Sequence, residues 1–205
     1  MYIRVTHASH LKPQAIPIKE FEELFGIRYL PHLTFSDYTI EKWVKKKCAK
    51  AYKNSRLADY TRWLGHLHKK QLEQPLLPDC SIRWISPKIG YGLFTECSLE
   101  AAEFVGEYTG ILRPRNQPFA NVNDYCFMYP RAWMTTRPLT IDSEKCGNHT
   151  RFINHSDRPN LEALSVFFEG MFRIIFRTTE AIAAGTQLTY DYGALYWRQR
   201  KKLPQ

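Results

Sequence analysis

Asn154, His155 and Ser156 stand in a row directly behind the apolar pair Phe152-Ile153, inside the segment Arg151-Phe-Ile-Asn-His-Ser-Asp-Arg-Pro-Asn160. Polar groups placed there would be left unsatisfied in an interior unless they bond something specific, so the pattern points to a ligand. Roughly thirty residues on, Leu188-Thr-Tyr-Asp-Tyr-Gly193 brings two tyrosine hydroxyls, on Tyr190 and Tyr192, to the end of a short strand candidate. Upstream, Gly90 and Gly92 in Lys88-Ile-Gly-Tyr-Gly-Leu-Phe94 lack a Cβ and let backbone approach a ligand closely. Alone, such a glycine pair is more often a plain turn. Tyr108 and Tyr125, taken singly, fit half-buried sheet tyrosines, and His66-x-His68 reads as structural.

The elements that must carry these residues differ along the chain. From about residue 15 to 75 the pattern is helical. Ile18, Phe21, Leu24 and Phe25 recur at helical spacing behind Pro17, and Gly26 sits at the C-cap position. A longer helix is expected from Asp37, its N-cap, with Val44, Cys48, Ala51, Leu57, Tyr60, Leu64 and Leu67 as the buried stripe. Off that stripe lie Lys42, Lys45, Lys46, Lys47, Lys50, Lys53, Arg56 and Arg62. They form either a solvated face or a docking surface for an acidic partner. Gln74-Pro75-Leu-Leu-Pro78 reads as a linker. Beyond it come short strands: Ser81–Ile85, Gly92–Phe94, Glu103–Tyr108, a hairpin of Val166–Phe168 and Phe172–Phe176, and Leu188–Tyr190. The expected fold is mostly β with N-terminal helices, an α+β chain of small curled sheets.

The two motifs, with Glu107-Tyr-Thr-Gly110, Asn123-Asp-Tyr125-Cys-Phe127 and Gly147-Asn148 in the same order, resemble the SET-domain protein-lysine methyltransferases over residues 80–197. The resemblance implies a knot-like site in which the strand of the second motif threads under the loop of the first. It implies S-adenosylmethionine as cofactor, with S-adenosylhomocysteine as product. Gly90, Tyr91, Gly92, Arg151, Asn154, His155, Tyr192 and Trp197 become cofactor-binding candidates, and Tyr192, Tyr190, Tyr108 and Tyr125 become catalytic ones. Tyr192 would help to form the ring through which a methyl group passes, and Tyr190 would set how many methyl groups are added, giving mono- or dimethylation. Tyr196 or Trp197 would close the site as a lid. Many relatives carry a cysteine where this chain has Asp157, and no cysteine follows Cys146, so a zinc-free version without flanking zinc clusters is expected. The implied division is a helical, basic region 1–79, a SET catalytic domain 80–193 and a flanking segment 194–205.

Composition narrows the partners. The 205 residues are 44% hydrophobic and 14% aromatic, enough for a folded core, and the formal net charge is +9. That charge favours acidic partners. The five cysteines are odd in number and form no Cys-x-x-Cys pair, so a reducing compartment is expected. No apolar run reaches the roughly eighteen residues of a membrane span, and no secretory core is apparent, so a soluble protein is expected. By resemblance to compact bacterial and chlamydial proteins, the substrate would be a lysine-rich basic protein such as a histone or a histone-like protein. The setting would be a bacterial cytoplasm or, as an effector acting on chromatin, a host cell and its nucleus. A homodimer could supply a missing lid. Glu103, Glu107 and Asp124 would form an acidic groove for the substrate, or the Lys42–Arg62 helix would hold nucleic acid beside it. The rival reading is a non-catalytic SET-like module binding nucleic acid or protein through that helix.

Overall fold

The computed structural model describes residues 1–6, 12–53, 58–75, 77–115, 123–130 and 138–198. Pro17, in extended geometry, precedes the first helix, and Gly26 ends it with a left-handed φ of 63°, both as the helical spacing predicts. Asp37 Oδ1 accepts the Ile40 N–H at 2.9 Å, which caps the second helix as expected.

In chain order the elements are strands β1 (Tyr2–Thr6) and β2 (Gln14–Pro17), helix α1 (Ile18–Phe25), strands β3 (Arg28–Tyr29) and β4 (Thr34–Phe35), then helices α2 (Tyr38–Lys53), α3 (Asp59–Leu67) and α4 (Lys69–Glu73). There follow β5 (Cys80–Ser86), β6 (Gly90–Thr95), β7 (Phe104–Glu107), β8 (Ile111–Pro114), β9 (Cys126–Met128), β10 (Leu139–Asp142) and β11 (Cys146–Gly147). After a 3-10 turn at His149–Phe152 come β12 (Asn154–His155), β13 (Leu161–Phe168), β14 (Met171–Thr178), β15 (Thr189–Tyr190) and the short helix α5 (Ala194–Trp197).

Two expectations about the N-terminal region need correction. Residues 1–79 are not helical throughout: β1 pairs in parallel with β5, β3 with β11, and β4 with β8. These short strands find their partners far away in sequence, where local periodicity carries no signal. Nor does one helix run from Asp37 to Leu67. Ala58, in extended geometry, starts α3 afresh, so the helical phase resets. Val44, Cys48, Ala51 and Leu64 are buried as expected, while Tyr60 and Leu67 are exposed. Leu57 and Arg56 lie outside the described residues.

Three small sheets surround one main core, in the orders β2-β1-β5-β6, β4-β8-β10-β9 and β12-β15-β13-β14-β7, with β11-β3 as a separate ribbon. The β13–β14 hairpin turns at Glu169–Gly170, both with positive φ, the geometry that two-residue hairpins favour. Most informative for the site is β15. It pairs in parallel with β12, His155 opposite Tyr190, and also in parallel with β13, Leu161 opposite Tyr190. The last strand therefore lies between the two arms of the loop 155–161, which is the expected threading. Asn160 pins it there, accepting the Thr189 N–H at 2.9 Å and donating to the Gln187 carbonyl at 2.8 Å. No described helix is long and apolar enough to cross a membrane.

Candidate active site

Threading β15 beside β12 places the polar run of the first motif against the tyrosines of the second. The Tyr192 N–H donates to His155 Nδ1 at 3.2 Å. In a neutral ring the proton is then on Nε2, which stands 3.3 Å from Asp157 Oδ1. Asp157 thus faces the buried imidazole. The His155 ring also packs on Trp197, with centroids 4.8 Å apart. Asn154 Nδ2 donates to the Tyr91 carbonyl at 3.1 Å, tying the first motif to the glycine-rich turn.

That turn uses its two glycines differently. Gly90 has φ +78° and open space where a side chain would point. Gly92 is buried, and a Cβ there would come within 2.6 Å of Ile85 Cδ1 and 3.1 Å of Asn154 Nδ2. A larger residue at position 92 would make the ends of these side chains shift, and among the described residues Gly92 does not line the cavity that Gly90 and Tyr91 do.

The cavity measures about 890 Å³. Around it the structure brings together Gly90, Tyr91, Arg151, Asn154, His155 and Trp197 with Tyr108, Tyr125, Tyr190 and Tyr192. Arg151 is not a free cation: its guanidinium donates to the Ser143 and Glu144 carbonyls and lies 4.0 Å from the Tyr125 ring centroid. It holds the cavity wall in shape. A second cavity of about 350 Å³, next to β9 and β10, shares Tyr108, Asp124, Tyr190, Tyr192 and Tyr196 with the first. The tyrosines thus stand between two chambers.

Their hydroxyls are differently committed. Tyr192 donates to the Ile153 carbonyl at 3.0 Å, and Tyr108 to the Tyr125 carbonyl at 2.7 Å. Among the described residues the Tyr190 hydroxyl has no hydrogen-bond partner, while its ring is held 4.7 Å from Tyr192 and 4.9 Å from Phe176. Burial, and after it the neighbouring tyrosines, push Tyr190 and Tyr192 well above the ordinary phenol value, and burial does the same for Tyr108. All three remain neutral hydroxyls near pH 7, able to orient and accept but not to act as bases.

The expected acidic groove of Glu103, Glu107 and Asp124 does not form. Glu107 is buried against Arg173 at 3.1 Å, and Glu103 accepts the Glu100 N–H. Asp124 alone of the three lines the chambers. Conversely, the N-terminal region reaches the site unannounced. Phe25, at the end of α1, meets Tyr91 edge-on at 5.0 Å and Phe152 at 4.9 Å, and Phe25, Gly26 and Ile27 line the large cavity. Phe25 reads in sequence as one more residue of an amphipathic helix, and nothing local distinguishes it.

A family model described as the SET domain matches residues 90–193. Among curated proteins, the histone-lysine N-methyltransferase SETD2 of Mus musculus is 33% identical over 111 residues, covering 53% of this chain and 4% of that protein. The histone-lysine N-methyltransferase ASHH3 of Arabidopsis thaliana is 33% identical over 118 residues, covering 51% and 30%. The chain thus spans less than a third of the length of either relative. A solved structure, that of KRYPTONITE in complex with mCHH DNA, H3(1-15) peptide and SAH, is 30% identical, covering 58% of this chain and 24% of that one, at a TM-score of 0.49.

Proposed function

The chain belongs to the SET-domain family, and we propose that it is a protein-lysine N-methyltransferase acting on a basic protein of the histone or histone-like kind. The observation that carries this reading is the pair of chambers meeting at Tyr108, Tyr190, Tyr192 and Tyr196. One chamber suits a cofactor, the other a lysine side chain. The large one falls in the size range of small-molecule sites. On its wall the Trp197 indole N–H is buried without a partner among the described residues, a donor left for a ligand.

S-adenosylmethionine, when bound there, supplies a sulfonium-activated methyl group whose positive charge disfavours a second charge on the lysine. Gly90, Tyr91, Asn154, His155 and Trp197 would hold it. Free lysine has a pKa of about 10.4, so the amine must lose a proton before it can attack, and the neutral tyrosines do not take it. Tyr108 and Tyr192, their protons committed to backbone carbonyls, keep oxygen lone pairs that can orient the passing methyl through weak C–H···O contacts. Alignment of the reacting atoms is the main service of these residues.

That the chain is of the compact bacterial or chlamydial type, acts without zinc clusters, and works as a secreted effector is proposed from sequence resemblance alone. The deciding experiment incubates the protein with methyl-labelled S-adenosylmethionine and a panel of histones and bacterial basic proteins. Label on lysine is expected, and Tyr192→Phe should lower the single-turnover rate by about 10²-fold while the cofactor still binds by calorimetry. Absence of label from every substrate, with cofactor bound, would sink the reading.

A further inference from the structure

We infer that the face built by α2 and α3 binds nucleic acid with unpaired bases. Lys42, Lys46, Lys50 and Lys53 recur every three or four residues, so they form one exposed stripe on α2, about 16 Å long. Among the described residues no carboxylate pairs with any of them, whereas neighbouring Lys45 is held by Glu41 at 2.6 Å. At the Lys53 end of the stripe the Tyr52 ring lies beneath the Arg62 guanidinium at 5.7 Å. Tyr52 lies about a quarter turn round α2 from Lys53 and is itself stacked on Phe167 at 5.9 Å, while on α3, the helix that carries Arg62, Tyr60 and Trp63 stack at 5.8 Å and 22°. Their residues are 52% and 53% exposed.

A cationic track beside half-exposed aromatic rings, whose outer faces remain after Tyr60 and Trp63 stack on each other, is the arrangement that grips single strands: phosphates follow the lysines, and bases stack on the rings. An acidic polypeptide would use the lysines but has no flat faces for the rings. A duplex would use the lysines but keeps its bases stacked inside. The charge balance gives the binding a purpose. A chain of net charge +9 repels a basic protein substrate at long range, and a phosphate backbone held on this face attracts both. The binding itself does not depend on methyl transfer.

The test measures fluorescence anisotropy of a labelled single-stranded oligothymidine of about 20 nucleotides, a duplex of the same length and a labelled polyglutamate, without cofactor, between about 50 and 200 mM salt. The single strand is expected to bind more tightly than the other two. The triple variant Lys46→Gln, Lys50→Gln, Lys53→Gln should lessen the slope of log affinity against log salt by about 2. Trp63→Ala should weaken single-strand binding by about fivefold or more with the slope unchanged. Circular dichroism and thermal melting keep account of folding, since every altered side chain is at the surface. The inference is overturned by no binding of the single strand, by binding indifferent to both variants, or by duplex or polyglutamate binding as tightly. Because no cofactor is present, failure of the methyltransferase reading would leave the result standing.

Discussion

Tyr190 and Tyr192 are two residues apart and share one environment, yet their hydroxyls differ in their hydrogen bonding, which suits them to different proposed roles. Tyr192 is bonded to the Ile153 carbonyl, so its oxygen is fixed. The Tyr190 hydroxyl, without a partner among the described residues and lining both chambers, can keep a water where a further methyl group would sit. Replacing Tyr190 by Phe removes that water's anchor while preserving the ring against Phe176 and Tyr192. On the proposed reading, in which the product is mono- or dimethyl-lysine, the product should then move towards trimethyl-lysine, read by mass spectrometry of the modified protein; an unchanged distribution would deny Tyr190 this role. Phe25 makes a second residue-scale prediction. Phe25→Ala removes a ring from the wall of the large cavity and should weaken cofactor binding by about tenfold or more, consistent with loss of an aromatic contact worth about 1.5 kcal/mol, with little change in the rate at saturating cofactor. That Tyr190, Asn154 and His155 gather at one cavity was legible in the sequence because motif and spacing mark them. Phe25 was not, because its role arises only when α1 is folded against residues more than sixty positions away.

Between elements, α3 approaches β13 closely at Gly65. A Cβ added to Gly65 would lie 2.0 Å from the Phe167 carbonyl oxygen, a backbone atom that cannot swing aside. The two effects of Gly65→Ala have opposite signs, which makes the variant informative. Helix propensity alone would favour Ala by about 1 kcal/mol, whereas overpacking costs about 3 kcal/mol. The clash should win, lowering the urea midpoint without changing the slope of the transition; a stabilised variant would mean that α3 does not press on the hairpin. The β13–β14 hairpin, α1 with its caps and the start of α2 were legible because each is specified within a few residues. The break at Ala58, and the pairing of β1, β3 and β4 with later strands, were not, since short strands gain their stability from partners remote in sequence.

At the scale of the whole molecule the balance of charge couples stability to pH, and buried histidines set the sign. His149, fully enclosed in the 3-10 turn ahead of Phe152, has its pKa lowered by burial from 6.5 to about 4. His68, buried between α3 and α4 with its ring 5.3 Å from Phe104, is lowered by burial first and by Arg177 second. The unfolded chain takes up protons at these rings near pH 6.5, and the folded chain resists. Their contribution to stability is therefore full above pH 6.5 and is lost as pH falls towards 4, by about 3 kcal/mol for His149 at the lower end. Glu107 works the other way: burial raises its pKa despite Arg173, so acid relieves a cost. Glu107, however, is one carboxyl whose guanidinium partner limits the shift, while the histidines add new positive charge to a chain already at +9. Urea midpoints measured from pH 7.5 down to 4.5 should accordingly fall. In His149→Gln, which cannot take up a proton, the fall should become shallower whatever the variant's stability at pH 7.5. An equally steep decline in that variant would assign the acid sensitivity to groups other than His149.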